Sequence, residues 1–102
     1  MAQAIQNKIH ERDILQQVRQ ALQLSGWYTM RNQQGLGSLK GRDDLTIIRE
    51  GRVIFCEFKI GSGKLSDYQE NFKRQIEEHG HEYRIVRRLE DVQDLLDGYI
   101  KF

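Results

Sequence analysis

The chain has 102 residues, 16 of them Lys or Arg and 15 Asp or Glu, for a net charge of +1. That length suits one domain with a modest core, and so neutral a balance argues against coating nucleic acid through bulk charge. No apolar run approaches the roughly 20 residues that span a bilayer, so no membrane partner is expected.

Residues 1–102 read as one domain: the sequence lacks proline, and no linker, low-complexity tract or repeat interrupts it. The opening MAQAIQNKIHERD is polar and has no apolar signal core. Residues 7–24 have helical periodicity, with Ile9, Ile14, Leu15, Val18 and Leu22 on one face. Asn7 is placed to cap that helix and Ser25-Gly26 to end it. Trp27 to Arg31 is rich in strand formers. Asn32 to Gly41 (NQQGLGSLKG) has three glycines and no periodicity, so it reads as a flexible loop. It lacks the ending of a phosphate-binding loop, and no nucleotide cofactor is expected.

Leu45 to Ile48 and Arg52 to Lys59 read as two strands around a tight turn at Glu50-Gly51. Ile60 to Lys64 is a loop. Ser66 to His79 is a second helix stopped by Gly80, Glu82 to Arg87 a strand, and Leu89 to about Tyr99 a short last helix. The expected class is α/β, an α+β mixed sheet in the order α-β-β-β-α-β-α. The lone cysteine, Cys56, lies in an apolar run and reads as a small buried hydrophobe. An unpaired thiol of that kind suits a reducing, cytoplasmic compartment.

Charge is distributed unevenly. Residues 1–40 hold five Lys/Arg against two acids, and residues 61–102 hold seven against nine. A nucleic-acid face would therefore be local, with Arg31, Lys40, Arg42 and Lys64 as its phosphate contacts.

The strand GRVIFCEFK ends in an acid and a base, Glu57 and Lys59, and burying either is costly. A symmetric turn at Glu50-Gly51 places Arg49 opposite Arg52, Ile48 opposite Val53 and Asp44 opposite Glu57. Opposed residues share a face, about 4.5–5.5 Å apart at Cβ. Two carboxylates so placed repel, and a hard divalent cation such as Mg²⁺ or Mn²⁺ removes the repulsion. Lys59 shares the face of Glu57 and can orient or deprotonate a water. A loop of odd length would shift this register. The pattern D-x(12)-E-x-K also fits a solvated strand end holding an ion pair. Ser66-x-x-Gln69 likewise reads as a helix capping box.

Taken in order, Gly41-x-x-Asp44-Leu45, Glu57-x-Lys59, Gly63-Lys64-Leu65-Ser66-x-x-Gln69 and Gly80, with SGWYTMRNQQG upstream, resemble the virus-type replication-repair nucleases (VRR-Nuc) of the PD-(D/E)xK superfamily. The resemblance spans roughly residues 9–92. It implies that Glu11, Asp44 and Glu57 and the backbone carbonyl of Phe58 hold Mg²⁺, with Mn²⁺ substituting. It further implies that Lys59 activates the attacking water and that Gln69 orients water or phosphate. Asp43 stands where the superfamily often has an apolar residue or proline, leaving two adjacent acids, of which Asp44 fits the spacing from Gly41.

The activity implied is metal-dependent endonucleolytic hydrolysis of DNA. Structure is a likelier target than sequence, because no module for reading base edges is present. A homodimer acting on four-way (Holliday) junctions is expected, with part of the apolar surface of Leu95, Leu96, Tyr99, Ile100 and Phe102 in its interface. A phage-encoded member would work in the bacterial host cytoplasm. The alternatives are a monomeric flap or nicking nuclease and a non-catalytic DNA-binding subunit.

Overall fold

A computed structural model of the chain describes residues 10–96. Helix α1 (Glu11–Leu24) is followed by three strands, β1 (Tyr28–Arg31), β2 (Leu45–Arg49) and β3 (Arg52–Phe58). Helix α2 (Asp67–Glu78), strand β4 (Glu82–Val86), a 3-10 turn (Leu89–Val92) and the short helix α3 (Gln93–Leu96) complete it. Asn7 and Ile9 lie outside the described residues. The observed helix begins after His10, whose N–H donates to the Asp13 carboxylate at 3.3 Å. The last helical segment is tighter than its periodicity suggests, because its first turn is 3-10.

The four strands form one sheet in the order β1-β2-β3-β4. The first three are antiparallel, and β4 runs parallel to β3. A parallel pair needs a long crossover, which α2 supplies. Between β2 and β3 the chain reverses at Glu50 (φ 51°) and Gly51 (φ 82°). Two consecutive positive φ values make the two-residue hairpin turn whose twist matches that of the strands. The register is therefore symmetric, from Arg49↔Arg52 to Leu45↔Cys56.

The two sheet faces differ in thickness. Ile54, Cys56 and Phe58 point toward α1 and the C-terminal turn, where they pack with Leu15, Val18, Leu22 and Val92. The alternate residues of β3 face α2: Phe55 meets Phe72 edge-on, and Phe72 meets Tyr83. Cys56 is wholly buried, and burial pushes its thiol up to about 12. An uncharged thiol of that kind packs as a hydrophobe.

Leu95 and Leu96 are buried at 4% and 6% exposure inside the chain's own core. This corrects their expected place in a dimer interface: α3 folds back to cover the α1 face of the sheet. Tyr99, Ile100 and Phe102 lie outside the described residues. Trp27 locks this closure, its indole N–H donating to the Leu95 carbonyl at 3.1 Å across 68 residues of sequence. Trp27→Phe keeps the apolar bulk and orphans that buried carbonyl. It should cost about 1–3 kcal/mol of stability, read as a lower urea midpoint with an unchanged slope.

Candidate active site

The hairpin ladder carries Leu45 opposite Cys56, and one residue further its hydrogen bonding shifts. The Asp44 N–H donates to the Cys56 carbonyl at 3.0 Å. The Asp44 carboxylate reaches across the strand end, where Oδ2 accepts from the Phe58 N–H at 2.9 Å. It thus stands against the main chain beside Glu57.

Glu57 is only 2% exposed. Its Oε2 accepts from the Gln69 side-chain amide at 2.9 Å, while its buried Oε1 has no hydrogen-bond partner among the described residues. Burial, and then the neighbouring charge of Asp44, push the Glu57 carboxyl up to about 8. Lys59 acts in the opposite direction. On the same side of the sheet the buried Tyr83 hydroxyl lacks a partner, and its pKa is raised by burial and by the Glu57 charge.

The two adjacent acids go separate ways. Asp43 is fully buried and accepts from the Thr46 hydroxyl at 2.8 Å. Asn32 completes the brace, donating to Thr46 Oγ1 at 2.9 Å and to the Asp43 carbonyl at 3.2 Å. Burial pushes the Asp43 carboxyl up to about 6, against the Thr46 hydrogen bond and the Arg42 charge. Asp43 therefore pins the loop from inside while Asp44 faces the groove. The brace depends on Asn32 and Thr46, whose roles carry no sequence signal beyond their short polar side chains at strand ends.

Gln69 caps α2 and reaches Glu57 in one conformation. Its Oε1 accepts from the Ser66 N–H at 2.9 Å, its own N–H donates to Ser66 Oγ at 3.2 Å, and its amide nitrogen is left to reach Glu57. The capping box consumes the carbonyl end and thereby aims the NH₂ end. Lys59 is half-buried, its N–H donating to the Val86 carbonyl at 3.1 Å and its aliphatic stem lying over Gly63. The following loop is tied down by Arg87, which donates to the Gly61 carbonyl at 2.6 Å.

The remaining candidates are spread around this centre. Glu11 is exposed at the first position of α1, one turn before Leu15. Leu15, Arg31, Asn32, Gln33, Gln34 and Asp44 line an open groove of about 480 Å³. Among the described residues no three His, Cys, Asp or Glu side chains converge on one point, so Glu11 does not join Asp44 and Glu57 as a third side chain. Arg31 lines the same groove as Asp44, whereas Lys64 is exposed on the loop before α2. Arg42 lies 3.7 Å from Asp43, and the Lys40 ammonium sits 5.0 Å from the centre of the Tyr68 ring.

No family model and no curated protein matches this chain. Among solved structures, one described as a VRR_NUC domain superposes with a TM-score of 0.72. The match covers 87% of this chain and 96% of that one, at 19% sequence identity. This chain has the VRR_NUC fold. At that identity the likeness is one of architecture, and the site must be judged from its own chemistry.

In this VRR_NUC fold, a divalent cation suits the groups present. Asp44 and Glu57 offer hard carboxylate oxygens, and the lone pairs of Glu57 Oε1 are unused. Two acids whose mutual repulsion raises a pKa are the charge pattern that a bound cation relieves.

Proposed function

We propose that this chain is a metal-dependent endonuclease that hydrolyses DNA phosphodiesters. The observation that carries this reading is the buried Glu57 carboxylate, held by Gln69 on one oxygen, unpartnered on the other, and set beside Asp44. Asp43 also has an unpartnered oxygen, but Thr46 and Arg42 compensate it; Glu57 instead faces the like charge of Asp44, which a bound cation would relieve. The VRR_NUC fold is consistent with a nuclease.

Asp44, Glu57 and the Phe58 carbonyl would hold Mg²⁺ or Mn²⁺. When bound, such a cation stabilises charge developing on the phosphoryl oxygens and makes a bound water more acidic. The chain's own residues do the rest. Lys59 orients the water that attacks phosphorus and stabilises the charge that develops. The water oxygen forms the new P–O bond while the bond to the departing sugar oxygen breaks, and that oxygen takes up a proton. Gln69 keeps Glu57 turned toward the centre throughout. Arg31, Lys40, Arg42 and Lys64 would hold the flanking phosphates.

The preferred substrate in this reading is branched DNA. One site per chain cuts two strands symmetrically only if two copies are related by a twofold axis, which fits a homodimer on a four-way junction. A monomeric flap or nicking enzyme is the second reading, and it is favoured by the burial of Leu95 and Leu96 within one chain. Labelled junctions, flaps and linear duplexes incubated with Mg²⁺, Mn²⁺ or EDTA, together with light scattering, separate the two. Lys59→Ala should lower cleavage by about 10²-fold or more, within the range of general acid–base contributions, and leave DNA affinity within a few-fold. Equal cleavage by the variant overturns the catalytic reading.

A further inference from the structure

The loop between β1 and β2 and the start of α2 enclose a second groove of about 570 Å³, distinct from the one below Asp44 but meeting the same centre at Gln69. Its floor is aromatic: Tyr68, the residue before Gln69, is 58% exposed. Its wall is apolar, with Leu36 wholly exposed at the loop tip and Leu39 62% exposed. Lys40 stands over the Tyr68 ring, and Arg42, paired with Asp43, also lines the groove. Leu39 and Lys40 also border a second depression along α2 with Phe72 and Ile76, and the loop's hydrogen bonds are local. Ser38 bonds to both backbone groups of Gly35, and Gln34 donates to the Arg42 carbonyl at 3.2 Å.

An exposed aromatic ring with a lysine at its face and apolar side chains beside it matches the chemistry of an unstacked base. A base that takes the place of the Lys40 ammonium on the ring gains a π-surface, the aliphatic side chains exclude water, and the displaced ammonium pairs with the phosphate of the same nucleotide. A paired base cannot reach such a groove, because its faces are covered by its neighbours in the stack.

We propose that the Tyr68 groove takes one unpaired nucleobase immediately beside the phosphate presented to Asp44 and Glu57, so that the preferred substrate is DNA with a splayed nucleotide next to the cut. This rests on the nuclease reading for the position of the phosphate. The base site itself stands on the groove.

The test uses the full chain with the Lys59→Ala substitution and a duplex carrying 2-aminopurine as a single unpaired nucleotide. Quenching on binding is expected with Tyr68 intact, retained in Tyr68→Trp, and lost in Tyr68→Ala. In the Lys59 wild-type background, Tyr68→Ala should raise KM for the bulged duplex about tenfold, on the order of one base–aromatic stack. KM for a fully paired duplex should be unchanged. Wild-type cleavage with equal KM for Tyr68→Ala overturns the base site and leaves the nuclease reading standing. Quenching without any wild-type cleavage supports the base site and removes the nuclease reading. DNA binding without quenching overturns the base site, as does a change in particle mass caused by Tyr68→Ala without DNA, which would make this face a contact between copies.

Discussion

Glu57→Gln should abolish cleavage and at the same time make the metal-free protein more stable at alkaline pH. The two effects have one cause. In the folded chain the Glu57 carboxyl is raised to about 8 from an ordinary value of 4.5. Between those limits the unfolded chain carries the charge and the folded chain resists it. The folded state binds the extra proton, so stability falls as pH rises. The contribution is whole below pH 4.5 and is lost progressively up to and through pH 8. Glutamine has the same shape and no charge, so it removes this penalty, worth up to a few kcal/mol at pH 9. The measurement is the melting temperature in EDTA from pH 5 to 9. Wild type should decline across that window and Glu57→Gln should stay flatter. Added Mg²⁺ should raise the wild-type melting temperature at pH 8 by mass action and leave the variant unmoved. Cleavage should drop by about 10²-fold or more, the effect of losing several kcal/mol of charge stabilisation. A variant that cleaves normally, or a wild type with no pH slope, contradicts the assignment.

Gly41→Ala should be the most damaging of the small substitutions. Gly41 has φ +81°, and a Cβ there would overlap the Tyr68 carbonyl and come within 2.9 Å of the Gln69 nitrogen. The obstacles are backbone atoms at the start of α2, so no rotamer change relieves them. The left-handed conformation costs about 1–2 kcal/mol for an L-residue, and overpacking adds about 1–3 kcal/mol. The relief available is to push the loop and α2 apart, which moves Gln69 away from Glu57. The expected result is a lower melting temperature together with a loss of cleavage that persists well below it. Gly35→Ala, with nothing within 4 Å of its Cβ, tests φ strain alone and should spare activity. Should the two variants behave alike, the contact with α2 is not what Gly41 provides.

The elements that could be read in the sequence are those fixed by local chemistry. Glu50-Gly51 sets a two-residue turn, the turn sets the register, and the register brings Asp44 to the end of β3 near Glu57. Ser66-x-x-Gln69 sets the start of α2. What could not be read depends on distant packing or on one torsion. That Gln69 can cap α2 and still reach Glu57 depends on a carboxamide using its two ends separately, which the capping pattern does not announce. Leu95 and Leu96 looked like surplus apolar surface because their burial depends on α3 folding back to α1 and Trp27. The distance of Glu11 from the acids depends on how α1 lies on the sheet, which its periodicity does not specify. The contact of Gly41 with α2 is between backbones, and no side-chain pattern announces it.

The hold of Gln69 on both Ser66 and Glu57 has a consequence for how the protein can be watched at work. The first turn of a helix is where fraying starts, and here that turn supplies the amide that holds the buried Glu57 carboxylate. Each time the turn opens, the Glu57 carboxylate loses the hydrogen bond from Gln69. The Ser66 amide proton, sealed by the Gln69 oxygen when the turn is closed, therefore acts as a clock. Its exchange rate with solvent counts how often the site comes apart and reassembles, in a single resonance and without any substrate.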